Sequence, residues 1–142
     1  MRIVVAVDWS DQAFNAVQEA CALYEPKELT LVHAMDLGLL ESPVMAQAMI
    51  LQGYDDFRKA MLDAGQQLME QTAKLVPPAV SSVKRVCELG RPAQVVLNAV
   101  TSAAADLLVV GSHTRKGVDR FLLGSVSHAV SHRAACSVLV VR

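Results

Sequence analysis

The sequence predicts an α/β fold in which an open, doubly wound sheet of five parallel strands carries helices on both faces. Five short runs rich in Val, Leu and Ile have the length of buried strands, and segments with helical periodicity separate them. This regular alternation favours parallel strands joined by helical crossovers. The pattern contains no internal repeat, linker or low-complexity tail. We therefore expect residues 1–142 to form a single domain.

The first two strands are predicted from apolar runs that stop at polar residues. The first strand spans residues 3–7 and ends at Asp8. A helix then begins after Ser10, whose hydroxyl suits the N-cap position, and ends before Pro26. The second strand is the run LTLVHA, residues 29–34.

The segment 35–54 leaves its shape open. Ser42 and Pro43 have the form of a helix start, with serine as the cap and proline at the first helical position. Gly53 interrupts the apolar spacing, which then continues until Pro77. One long helix and two shorter helices are both compatible with this pattern.

The second half of the chain continues the alternation. Residues 80–89 form a weaker strand, and its Lys84 and Arg85 are typical of a sheet edge. The remaining predicted elements are a helix after Gly90-Arg91-Pro92, a strand at 107–111, a helix at about 124–135 and a strand at 137–141.

Composition excludes several classes of protein. The net charge of −1 argues against a nucleic-acid partner, which would favour a concentrated basic face. Three distant cysteines without a C-x-x-C pair indicate a reduced compartment. The N-terminal apolar run is too short for a signal peptide, and no run reaches the ~18 apolar residues of a membrane span. We expect a soluble cytoplasmic protein without a membrane partner.

The strongest functional signal lies between the fourth strand and the last helix. Gly111 ends the fourth strand and Gly124 precedes the last helix. Ser125 and Ser127 follow Gly124 at the start of that helix. Unpaired N–H groups at a helix N-terminus attract anions, and ligands of such sheets bind at the carboxyl ends of the strands. Asp8, also at a strand end, could accept a hydrogen bond from a ribose hydroxyl or simply form a turn. The pattern favours a phosphate site.

Other motifs are absent or weak. The sequence has no G-x-G-x-x-G, no G-x-x-x-x-G-K-[ST], no legible catalytic triad and no aspartate ending the third strand, as a phospho-receiver domain would need. His128 and His132 have the spacing of a two-histidine metal face, but no third ligand accompanies them in sequence, which favours a solvated or interface face. His33 and His113 lie nearer the predicted crevice.

The chain resembles the universal stress protein family over its whole length. The resemblance rests on the opening IVVAVDWSDQA, the strand LTLVHA, and the tail DLLVVGSHTRKGVDRFLLGSVSHAVSHRAACSVLVVR. The tail is similar to the family's nucleotide motif G-x2-G-x9-G-[ST], except that Thr114 stands at the second glycine. The resemblance implies a Rossmann-like sheet with strand order 3-2-1-4-5. It also implies ATP or another adenine nucleotide as cofactor, with Mg²⁺ or Mn²⁺ bound through the phosphates.

The resemblance also assigns roles to individual residues. Asp8 would contact the ribose or adenine, Ala6 and Ala34 would contact adenine through their backbone, and residues 124–127 would hold phosphates. Because Thr114 is β-branched and stands where a phosphate comes close, we expect weaker or altered binding. The implied nucleotide-binding residues are Ala6, Val7, Asp8, Ala34, Val110, Gly111, His113, Thr114, Arg115, Gly124, Ser125, Val126 and Ser127.

The family resemblance implies a regulator or protective factor in the stress response. It implies a homodimer through the apolar last strand, at Val138, Leu139, Val140 and Val141. ATP turnover should be slow at most, because no general base or arginine finger is legible. Two alternatives stay open: a nucleotide-free dimeric module that acts through protein partners, and an ATP-consuming enzyme.

Overall fold

The computed structural model describes residues 1–36, 38, 42–112 and 123–142. Within these residues the helices and strands alternate much as the sequence predicts. In chain order they are β1 (Arg2–Ala6), α1 (Asp11–Tyr24), β2 (Glu28–Met35), α2 (Pro43–Gln52), α3 (Tyr54–Ala73), β3 (Ser82–Leu89), α4 (Pro92–Ser102), β4 (Leu107–Gly111), α5 (Ser125–Arg133) and β5 (Ser137–Val141).

The five strands form one open parallel sheet in the order β3-β2-β1-β4-β5. Both the predicted fold class and the predicted strand order are confirmed. The chain runs outward from β1 through β2 to β3, then returns to β4 on the other side of β1. The point where the order reverses therefore lies between β1 and β4, and the carboxyl ends of these two strands flank a crevice.

Alternate side chains of the central strand enter two separate cores. Ile3 and Val5 of β1 pack into the core that α1 and α3 cover. Val4 packs into the second core, which α4 and α5 cover. Helices thus lie on both faces of the sheet, as predicted. Because β1 is buried on both faces, consecutive residues of this strand are apolar.

Two helices occupy the segment whose shape the sequence leaves open. Gly53 separates α2 from α3 with φ of 82° and ψ of 148°, a backbone conformation that favours glycine. Phe57 and Leu68 are among the buried residues of α3, whereas α2 has none. Among the described residues, no helix combines the length and apolar character needed to cross a membrane.

Several predicted element boundaries are wrong by one or two residues; the second strand, for example, spans Glu28–Met35 rather than residues 29–34. Val80 belongs to a turn, since its N–H donates to the carbonyl of Pro77, and β3 begins at Ser82. The last helix ends at Arg133 because Ala134 adopts extended backbone. The first strand is displaced by one residue, although the Val7 N–H still donates to the carbonyl of Val32.

Candidate functional site

A cavity of about 420 Å³ opens at the carboxyl ends of β1, β2 and β4. Its volume lies in the range usual for small-molecule sites, and its position is the one expected for a ligand of a doubly wound sheet. The turn after β1, the end of β2, the start of α4 and the start of α5 contribute to its walls.

The structure brings most of the residues predicted for the site together around this cavity. His113, Thr114 and Arg115 lie outside the described residues. The ten that line the cavity are Ala6, Val7, Asp8, Ala34, Val110, Gly111, Gly124, Ser125, Val126 and Ser127. Their contact with a nucleotide stays a prediction.

The N-terminus of α5 presents backbone N–H groups at the cavity wall. Gly124 occupies the N-cap position and provides no side-chain cap. The first intrahelical hydrogen bond runs from the His128 N–H to the Gly124 carbonyl, at 2.9 Å. The preceding N–H groups, of residues 125–127, therefore have no partner within the helix and lie at the positive end of its dipole.

The two serines at this helix start differ in what they can donate. The buried Ser127 hydroxyl donates to the Gly124 carbonyl at 2.9 Å, so its proton is used within the first turn. Ser125 is exposed and lines the cavity. At Ser127 an anion would therefore accept a hydrogen bond from the backbone N–H alone. At Ser125 it would accept from both the backbone N–H and the hydroxyl.

Gly111 permits a close approach between β4 and α1. A Cβ at this position would lie 3.0 Å from the Gln12 Cβ, 3.1 Å from the Gln12 carbonyl carbon and 3.2 Å from the Ala13 nitrogen. Because two of these neighbours are backbone atoms, they cannot move aside as a flexible side chain could. The sequence predicts that Gly111 permits a tight turn after β4. The structure shows that Gly111 also packs against the first turn of α1.

Asp8 takes part in a turn and also lines the cavity. Its Oδ1 accepts from the Ser10 N–H at 2.8 Å and from the Ser10 hydroxyl. The Ser10 Oγ in turn accepts from the Ala13 N–H at 3.2 Å and caps α1. Both roles suggested by the sequence are therefore compatible, since the described hydrogen bonds engage only one carboxylate oxygen and the other can accept from a ligand.

His33 joins the ends of two neighbouring strands beside the cavity. Its Nδ1 lies 2.9 Å from the Val7 carbonyl oxygen. Because a carbonyl can only accept, Nδ1 carries the proton and donates it. This bond holds the end of β2 against the turn that carries Asp8.

Sequence reasoning missed several lining residues. Asp36 follows β2, and its Oδ1 accepts from the Gly38 N–H at 2.8 Å. The same rule that places ligands at strand carboxyl ends could have found it. The other lining residues depend on how distant elements pack, which no local motif indicates. The missed residues are Ser10, Ala13, Val32, Asp36, Pro92 and Val96.

The described part of the cavity wall holds two carboxylates, Asp8 and Asp36, and one imidazole, His33. Across the described ranges, no group of three or more His, Cys, Asp or Glu side chains is arranged to hold a metal ion. Within the described part of this wall, the α5 N-terminus is a feature that attracts negative charge.

Comparison with known sequences gives one consistent family. The model of the universal stress protein family matches residues 1–142. The universal stress protein Sll1388 of Synechocystis is 30% identical to this chain, over 99% of the chain and 97% of its own length. The universal stress protein YxiE of Bacillus subtilis is 27% identical, over 99% of the chain and 98% of its own length.

Solved structures share the fold. UspA from Lactobacillus plantarum has a TM-score of 0.72 at 24% identity, covering 100% of this chain and 97% of its own. A universal stress protein in complex with cAMP has a TM-score of 0.65 at 24% identity, covering 100% and 96%. A universal stress protein family protein from Arabidopsis thaliana with AMP bound has a TM-score of 0.64 at 21% identity, covering 99% of this chain and 90% of its own. The universal stress protein from Archaeoglobus fulgidus in complex with dAMP has a TM-score of 0.65 at 19% identity, covering 100% of this chain and 98% of its own.

Proposed function

This chain belongs to the universal stress protein family, and from that premise we propose that it binds an adenine nucleotide, ATP foremost, in the cavity between β1 and β4. The observation that carries the proposal is that one cavity contains both a helix N-terminus without a side-chain cap and the carboxylate of Asp8. The helix N-terminus attracts phosphate, and the Asp8 carboxylate accepts hydrogen bonds from ribose hydroxyls. We propose that the nucleotide-bound protein acts in the cytoplasm as a regulator or protective factor under stress.

The lining residues suit the three parts of a nucleotide. The N–H groups of residues 125–127 would donate to phosphate oxygens, and Asp8 would accept from the ribose. The apolar side chains of Val96 and Val110 border the same cavity and offer a surface for the adenine ring. Backbone groups at Ala6 and Ala34 would then contact the edge of the base. Any Mg²⁺ or Mn²⁺ would be held mainly by phosphate oxygens.

The solved relatives support an adenine nucleotide in particular. Three proteins of similar fold have been solved with cAMP, AMP and dAMP, which share an adenine base and one phosphate group. The shared chemistry is the one that the α5 N-terminus, Asp8 and the apolar wall would recognise. We propose binding as the function, with ATP hydrolysis slow or absent.

The first experiment identifies the ligand. Protein purified without added nucleotide is denatured and the released small molecules are identified by chromatography and mass spectrometry. The stripped protein is then titrated calorimetrically with ATP and Mg²⁺, and separately with AMP. We expect micromolar binding, about −8 kcal/mol. Absence of both released nucleotide and measurable binding would contradict the proposal, and rapid ADP production would instead indicate an enzyme.

A matched pair of variants at Ser125 tests the phosphate site. Ser125→Pro removes one N–H at the first helical position, where proline is well tolerated, and Gly124 already has the ψ of 157° that a residue before proline adopts. Ser125→Ala removes the hydroxyl but keeps the N–H. We expect the proline variant to bind ATP about tenfold more weakly than the alanine variant, the value of one charge-assisted hydrogen bond. Equal affinities would exclude the N–H group of Ser125 from phosphate binding.

One observation favours a second candidate, a nucleotide-free interaction module. Val44, Ile50 and Leu51 of α2 are 74%, 77% and 78% exposed, and no residue of that helix is charged or buried. Exposed apolar side chains of this kind often mark partner surfaces. If the stripped protein fails to bind any adenine nucleotide, this candidate replaces the first. Cross-linking from residue 47, on α2, in cell extract would then identify the partner.

A further inference from the structure

Helix α5 carries two exposed histidines one turn apart. His128 and His132 have ring centroids 4.8 Å apart, with the ring planes inclined at 57°. Both side chains are exposed, and neither belongs to the described wall of the nucleotide cavity. Residues four apart lie on the same helix face, so the helix itself holds these two imidazoles together.

The separation of the rings matches that of two imidazoles on one metal ion. Imidazole nitrogens bind Zn²⁺ at about 2.0–2.1 Å, so two rings that share one tetrahedral ion have centroids about 5 Å apart. The observed 4.8 Å is close to this separation. To bind one ion, the two rings would rotate about their side-chain bonds until one nitrogen of each is directed at the same point.

The structure also shows which ligands the described residues supply at this face. Cys136 lies a further four residues along the sequence, so a continuous helix would present it beside His132. Instead α5 ends at Arg133, Ala134 is extended, and Cys136 packs against the core under α4 and α5. Burial raises the pKa of its thiol, which disfavours the thiolate that binds metal. Among the described residues, this face therefore supplies two imidazoles, and water would complete the coordination.

We propose that His128 and His132 form a binding site for a divalent transition-metal ion of the class that prefers imidazole: Zn²⁺, Ni²⁺ or Cu²⁺. The site lies on the outer face of α5 and does not depend on the nucleotide. An ion bound there would link the two turns of α5 that end the helix, and it would stabilise the folded state over the unfolded state, in which the histidines are not held together.

The test is a calorimetric titration with NiCl₂ of metal-free protein prepared without a histidine tag. We expect one Ni²⁺ per chain for the native sequence. His128→Ala and His132→Ala should each weaken binding by at least about tenfold, since each leaves a single imidazole. Ser131→Ala keeps both imidazoles and should bind as the native protein does.

A spacing variant separates chelation from mere histidine content. His132→Ala combined with Arg133→His keeps the number of histidines but places the second imidazole five residues from His128, off the shared face. We expect this variant to bind Ni²⁺ no better than His132→Ala. Circular dichroism in the absence of metal verifies that each variant is folded. Native affinity in either alanine variant or in the spacing variant, or no binding by the native protein, would overturn the proposal.

Discussion

Gly65 lies inside α3, where its lack of a side chain determines how closely the helix packs on the sheet. A Cβ at this position would lie 2.5 Å from the Cys87 Sγ of β3, and 3.5 Å from the His33 Cδ2 of β2. His33 and Cys87 are register partners on the adjacent strands. Glycine in a helix costs about 1 kcal/mol relative to alanine, so its presence here is explained by this contact.

Gly65→Ala should therefore destabilise the protein by about 1–3 kcal/mol, despite the gain in helix propensity, because the new methyl group would overlap Cys87. Cys87→Ala removes the Sγ atom, and the double variant should recover most of the loss. Urea unfolding of the native protein, both single variants and the double variant provides the coupling energy. A stabilised Gly65→Ala variant, or additive effects, would contradict this account of the contact.

At the scale of elements, the end of α4 contains an unfavourable residue. Ala104 has a φ of 45°, in the left-handed region that favours glycine, whereas its neighbour Ala103 has an ordinary φ of −79°. Ala104→Gly should raise the free energy of unfolding by about 0.5–1 kcal/mol, since glycine relieves the steric cost. Ala103→Gly is the matched control and should lower it. Thermal unfolding compares the two, and equal effects would mean that backbone conformation is not the cause.

The amino-terminal ends of β1 and β4 are joined by a pair of charged residues. Arg2 donates its backbone N–H to the Asp106 Oδ2 at 2.8 Å and its guanidinium to the Oδ1 at 3.2 Å. These bonds, the backbone one first, lower the pKa of the Asp106 carboxyl below its ordinary 3.8. The stabilisation is therefore present above pH 3.8 and is lost as the pH falls through the lowered pKa.

Replacing this carboxyl should change how stability depends on pH. Asp106→Asn should be less stable than the native protein at pH 7, and the difference should shrink as the pH falls below 3.8. Urea unfolding at a series of pH values measures both curves. Because the pair is exposed, added salt should also reduce the difference at pH 7. Parallel curves across the acid range would show that Asp106 has no lowered pKa.

At the scale of the whole molecule, the two edges of the sheet differ. The β3 edge carries Lys84 and Arg85, and such charges discourage pairing between sheets. The β5 edge reads SVLVV, and its Val138, Leu139 and Val140 are only partly buried. We propose that β5 forms the homodimer interface that the family resemblance implies.

Light scattering after size exclusion tests this edge. We expect a mass of about twice the chain's 15.3 kDa. Val140→Lys should yield monomers with retained helical circular dichroism, because a charge on the edge opposes pairing. Val83→Lys on the β3 edge is the control and should leave the mass unchanged. A monomeric native protein would remove β5 from consideration as an interface.

The parts of the fold that sequence predicts are those encoded within one element or its immediate flanks. The apolar runs predict all five strands, and Ser10 and Pro43 correctly indicate helix starts. The rule that ligands bind at strand carboxyl ends directs attention to the residues that line the cavity. The features that the sequence leaves undecided have a different physical origin. The division at Gly53 depends on one backbone angle, and the need for Gly65 and Gly111 depends on contacts between elements distant in the chain.

The central position of β1 has a consequence for synthesis of the chain. β1 leaves the ribosome before the other four strands, yet one of its two neighbours is β4, and Arg2 bonds to a residue 104 positions later. At about 5–20 residues per second, roughly 5–20 s pass between the two. Throughout that interval the nascent sheet has an open apolar edge beside Val4 and Val5, which the finished protein buries completely. Chaperones that bind extended apolar segments would therefore find their target at β1 of the nascent protein.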